Sequence, residues 1–117
     1  MKNLVSGIAV IVAFMTGVAN AQSYAGRAVQ EAGSQACPGD IALLVDITDG
    51  LVTGSADAAF GDHGEIRGRV DDNGITGDIV TSRFIAPFTL QKNAKGWTGG
   101  YDILGECNGT ITLLEFK

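Results

Sequence analysis

Few residues in this 117-residue chain are equipped for chemistry. There are two cysteines, Cys37 and Cys107, one histidine, His63, and thirteen acidic residues scattered among strand-like runs. A zinc-type site needs three or four clustered thiolates and imidazoles; here neither cysteine has a second thiol nearby and the single histidine stands apart, so no metal is assigned. His63 sits in Gly61-Asp62-His63-Gly64, a turn-like segment, and no serine near it has the setting of an activated nucleophile. Asp71-Asp72-Asn73 before Gly74 resembles the start of a calcium loop, but it lacks the alternating ligands and the distant glutamate, and reads better as a hairpin turn. Asn108-Gly109-Thr110 fits the acceptor pattern for N-glycosylation and also reads as a turn. Arg67 and Arg69 share the outward side of one strand, where they are expected to neighbour Asp78 as solvated cross-strand partners rather than to form an anion site. Asp46, Asp57 and Asp78 alternate with apolar residues and should face solvent. An enzyme would need them to converge in space. No catalytic residue and no cofactor is assigned.

The two cysteines point elsewhere once the compartment is considered. Lys2 and the amino terminus form a short positive region, Leu4 to Met15 is an almost unbroken apolar run, and Ala19-Asn20-Ala21 supplies the small-x-small pattern of a cleavage site. The pattern predicts a signal peptide over 1–21 and one domain over 22–117, periplasmic or secreted. The apolar run is shorter than the roughly 20 residues of a spanning helix, so no stable membrane insertion is expected after cleavage. In an exported chain oxidation is the default, and Cys37 and Cys107 are expected to be bonded to each other. Closing so long a loop contributes on the order of 4 kcal/mol in the chain-entropy account. Loss of Lys2 leaves seven basic against 13 acidic residues, a balance that disfavours nucleic acid as a partner.

The elements that must position these residues are strands. Ile41, Leu43, Val45 and Ile47 define one inward face, Phe84, Ala86, Phe88 and Leu90 another, and Ile66 and Val70 a third. Asp49-Gly50, Asn73-Gly74 and Lys95-Gly96 are expected to supply the positive φ of tight hairpins. Reading from turn to turn gives about eight strands, near 24–30, 41–47, 51–58, 65–71, 75–81, 84–90, 97–103 and 110–116. Connections this short imply an all-β, up-and-down antiparallel meander that closes into a barrel, fully or in part, with a β-sandwich as the alternative. In such a meander Cys37 and Cys107 fall at one end, beside the closing seam. Pro87 pulls the other way: it cannot donate to a ladder, so the sixth strand should be bulged or an edge.

Five strands repeat the pattern apolar-x-Gly-x-apolar, with glycine inward at Gly26, Gly54, Gly68, Gly77 and Gly99. Inward glycines let a narrow wall coil and leave room for Phe84 and Phe88. Phe84, Phe88, Trp97 and Tyr101 would line a ligand cavity if the barrel has one, and otherwise form its core. The segments Tyr24-x-Gly26-Arg27, Asp49 to Gly54, Ile66-x-Gly68-x-Val70-Asp71, Gly96-Trp97-Thr98-Gly99 and Cys107-x-Gly109-Thr110 together resemble small secreted glycine-rich β proteins of proteobacteria, a group with no assigned activity. The resemblance implies the β fold and a bacterial periplasmic setting, and carries over no catalytic residue.

These features point to an exported, non-enzymatic barrel-like protein that binds a protein or a small ligand; an inhibitor of a basic secreted enzyme such as a lysozyme is a specific version suggested by the acidic charge. The rivals are an enzyme assembled from the dispersed carboxylates and an assembly component that joins other chains through an exposed edge around Pro87.

Overall fold

The computed structural model describes residues 21–33, 37–58 and 61–116; the leader expected over 1–21 lies outside them except for Ala21. Eight strands follow one another: β1 Gln22–Ala32, β2 Ile41–Thr48, β3 Leu51–Ala58, β4 His63–Asp71, β5 Gly74–Thr81, β6 Ile85–Lys92, β7 Gly96–Ile103 and β8 Cys107–Glu115. Every strand pairs antiparallel with its neighbours in the sequence, and β1 pairs with β8, so the meander closes into a barrel. Short turns leave the chain no route but to the adjacent position, and closure satisfies the two edges an open meander would expose.

Alternation decides which side of the wall each residue occupies. Along β2 the pattern is strict: Ile41, Leu43, Val45 and Ile47 are buried while the residues between them are exposed. The same period places Ile66, Ile75, Ile79, Phe88, Leu90 and Ile111 inside with the rest of a single core. Among the described residues no charged side chain is buried, and the buried side-chain polar atoms without a hydrogen-bond partner are the Trp97 indole N–H and the Tyr101 hydroxyl. This is the inverse of a membrane-spanning barrel, whose apolar side faces lipid. The void left in the centre is only about 10 Å³. A site needs at least about 10 to 15 Å³ to hold even one water, so the interior is filled by its own side chains.

Inward glycines make that filling possible at two aromatic positions. Gly77 lies opposite Phe88 and Gly109 opposite Tyr101. A methyl group at Gly77 would collide with the Arg67 carbonyl oxygen and come within 2.9 Å of the Phe88 ring, and one at Gly109 would collide with the Val29 carbonyl oxygen and come within 2.8 Å of the Tyr101 ring. The ring therefore covers the bare backbone of the neighbouring strand, an arrangement that also shields the glycine.

Turns and edges depart from the expected pattern at several places. Asn108-Gly109 is not a turn: both residues belong to β8, paired with Asp102 and Tyr101. The β7–β8 reversal is made instead by Leu104 and Gly105, with φ of 54° and 76°. Leu104 is a residue type that gives no turn signal. At Asp49-Gly50 the expected positive φ is present at both residues, whereas Gly96 is not among the residues with positive φ. The reversal before β7 is held by the Asn93 carboxamide oxygen, which accepts from the backbone N–H of Lys95 and Gly96.

Pro87 is not bulged, and β6 is not an outer edge of the closed barrel, but at Pro87 itself the strand has no partner on its β7 side. It pairs in register with Asp78 of β5, and the β6–β7 ladder stops one residue away, at Phe88 and Tyr101. The Thr81 N–H donating to the Phe84 carbonyl fixes the phase of the β5–β6 hydrogen bonds, and in that phase odd-numbered residues of β6 turn their backbone groups toward β7. Proline thus lacks its donor on the side where the ladder ends. The result is a local opening in an otherwise closed wall.

Candidate binding surface

The barrel has two ends with different closures. At the end carrying the β1–β2, β3–β4, β5–β6 and β7–β8 connections, Cys37 is bonded to Cys107 with their Cα atoms 5.7 Å apart. Tyr101 lies close to this end, and burial, helped by the charges of Asp40 and Glu31, raises its phenol above the ordinary value. At the opposite end the Lys92 ammonium lies 5.1 Å from the Trp97 ring centre and 5.6 Å from that of Tyr24. The Tyr24 hydroxyl donates to the Gln22 side chain at 2.9 Å.

The four aromatic residues expected to line a cavity occupy this packed interior. Phe88, Trp97 and Tyr101 are buried in the core, and Phe84 packs against it partly buried. Trp97 and Tyr101 share a face of β7 but are four residues apart, roughly 13 Å along a strand, so they serve opposite ends rather than one pocket.

Space for a partner lies outside. An open depression of about 870 Å³ runs over the outer wall from β3 to β7. Its rows follow from strand register. Leu51, Arg69, Thr76, Thr89 and Gly100 stand side by side on five successive strands, and Arg67, Asp78 and Pro87 form the next row. Gly68 and Gly77 face each other beneath these rows, so the floor between groove and core is bare backbone. The opening beside Pro87 borders the same depression, with Asp102 on its far side.

The charges in the groove are arranged differently from the expectation. Arg67 and Asp78 are register partners, yet the Arg67 guanidinium turns along its own strand to Glu65 at 3.2 Å. Both side chains are largely exposed, which makes this pair a minor contributor to stability. Among the described residues Arg69 and Asp78 form no ion pair, and both remain available to a partner. Asp71 accepts from the Asn73 N–H at 2.7 Å and Asp102 from the Gly105 N–H at 3.2 Å, so these two serve the neighbouring turns.

The other residues singled out above lie apart from the groove or serve the fold. His63 begins β4 rather than a turn, is well exposed, and contacts Asp57, its partner across β3 and β4. Asp46 accepts from the Ser23 hydroxyl at 2.7 Å. Asp46, Asp57 and Asp78 therefore stand on three strands of the outer wall, the first two engaged with Ser23 and His63 and Asp78 with no ion pair among the described residues. Among the described residues no three histidine, cysteine or acidic side chains gather as a metal-binding group. Sequence reasoning missed the groove because it is made of side chains brought into rows by register. Only the outward alternation of Arg67, Arg69 and Asp78 was a usable signal.

No family description matches this chain, and neither the curated proteins nor the solved structures include one similar to it.

Proposed function

We propose that this chain is an exported, non-enzymatic binding module that recognises a partner protein through the groove on the outer wall of β3 to β7. The observation that carries the proposal is the filled interior: the cavity at the centre of the core, between Leu43, Ile66, Phe88 and Ile111, is only about 10 Å³ and has no room for a ligand, so recognition falls to the outside. The groove supports a protein rather than a small molecule because it is long, shallow and crosses five strands. Arg69 and Asp78 supply opposite charges that can fix a partner's register, and Leu51 and Pro87 supply apolar contact. The Cys37–Cys107 bridge is consistent with an oxidising compartment, and together with the leader pattern it supports a periplasmic or secreted location. The net charge of −5 favours a basic partner, with a secreted lysozyme as the specific candidate.

A photo-crosslinking residue at Thr89, in the groove, tests this against one at Thr112, on the far wall. Adducts with a different protein should form from Thr89 in the native compartment and not from Thr112. Such adducts from Thr112 alone would overturn the assignment. For the lysozyme version, titration at low salt should show binding that Asp78→Lys weakens at least tenfold; absence of binding would discard it.

A further inference from the structure

The wall opposite the groove has another character. Ala25 on β1 is flanked by Leu44 on β2 and Leu114 on β8, its register partners on either side, and Phe116 follows in the next row beside Ser23. Leu44, Leu114 and Phe116 are 55%, 50% and 60% exposed. Among the described residues, the other exposed large apolar side chains, Val29, Leu51, Ile85 and Leu104, do not gather into such a group. A contiguous patch of this kind on a small acidic protein marks a contact surface.

Polar residues rim the patch on opposite sides. The row containing Ser23 carries Asp46, and the row beyond Ala25 carries Arg27, which forms no ion pair among the described residues. This polarity makes the wall complementary to itself. Two copies can pack face to face about a two-fold axis lying in the interface. If that axis runs parallel to the strands, Arg27 faces Arg27 and the arrangement is repulsive. If it runs across the strands, Leu44 meets Leu44, Leu114 meets Leu114, and Arg27 of each copy enters the row holding Ser23, Asp46 and Phe116 of the other. Arginine there gains a carboxylate and the face of an aromatic ring.

We infer that the chain self-associates through the outer wall of β8, β1 and β2, with β1 of the two copies antiparallel across a two-fold axis at Ala25. The occupant of the patch is a second copy because its charges complement each other only in that crossing. A convex wall presents few strands to its partner, so the dimer is weak, forming at high micromolar concentration or above. In a closed eight-stranded barrel this wall is diametrically opposite β5, so the dimer leaves both grooves facing outward. Two outward grooves would give the assembly bivalent recognition. Failure of the dimer would leave the groove proposal untouched, since the two use different residues.

Sedimentation equilibrium of the protein up to millimolar concentration tests the inference. A monomer–dimer equilibrium is expected, lost on joint Leu44→Glu and Leu114→Glu substitution. The milder Leu44→Gln and Leu114→Gln pair provides the same readout should the acidic pair fail to fold. Arg27→Asp alone should weaken association at least tenfold, as should Asp46→Arg alone, and combining the two should restore it to within about threefold of the original. A chain that stays monomeric at millimolar concentration would overturn the inference, as would a dimer indifferent to the leucine substitutions or reversals that do not compensate. A monomer that instead cosediments with neutral lipid vesicles would assign the patch to a membrane surface and equally overturn it.

Discussion

The two ends of the barrel solve the same problem by different means. Every barrel must stop its last layer of core residues from opening to water. At one end a covalent bridge joins the β1–β2 connection to the start of β8, across the closing seam. At the other, Lys92 lays its ammonium over Trp97 and Tyr24 and the turns are tight. The difference follows from connection length. The β2–β3 and β4–β5 turns need only two residues, whereas β1 and β2 are separated by the segment containing Cys37, which requires an anchor of its own. A covalent link acts mainly on the unfolded chain, while a cation on two rings acts on the folded one.

The largest test of this contrast removes the bridge. Replacing Cys37 and Cys107 together by serine should lower unfolding stability by on the order of 4 kcal/mol, measured by denaturant titration. That is a large fraction of the roughly 5 to 15 kcal/mol available to a domain. Trp97, the one tryptophan, lies at the far end and reports on it. Its fluorescence in the native state should be unchanged by the double substitution; a shifted emission would show that the two ends are coupled. Next in size, Lys92→Met keeps an apolar stem of similar length while removing the charge, and should cost about 1 kcal/mol and expose Trp97 to iodide quenching. A stability change of zero would reduce the lysine to an onlooker.

The smallest expected effect concerns Tyr101 at the bridged end. Its folded-state pKa is raised by burial and by the nearby Asp40 and Glu31, so the neutral phenol is the form the fold accommodates. Its contribution is fully present below the unfolded value, about 10, and is lost as pH rises through the raised folded value. Unfolding stability should therefore hold steady up to about pH 10 and fall above it, and Tyr101→Phe should flatten that decline. An equally steep alkaline loss in the phenylalanine variant would place its origin elsewhere.

Much of the architecture was legible because its signals are local. Alternation along β2 and the Asp49-Gly50 turn need no knowledge of the rest of the chain, and two cysteines in a chain with an export-like leader have one natural pairing. The misread places depend on what a residue meets across the sheet. Asn108-Gly109 carries a turn signal, but Gly109 is needed where the Val29 carbonyl and the Tyr101 ring crowd it, and the reversal falls on Leu104-Gly105 instead. Pro87 signals a bulge or an edge, and the structure answers with a local edge inside a closed barrel, its missing donor pointing to where the β6–β7 ladder has already stopped. Arg67 has Asp78 as register partner, yet its long side chain reaches Glu65 on its own strand. The groove was read only in fragments, since its rows join residues from five strands.

The strands, their order and their inward faces follow from local patterns in the chain, because short turns and a period of two are properties of adjacent residues. Tertiary structure alone decided that the wall closes, that its interior is full, and that one outer face is a charged groove and the opposite one an apolar patch. Those outcomes depend on register between strands and on how volumes sum across eight of them, and neither quantity is carried by any single stretch of chain.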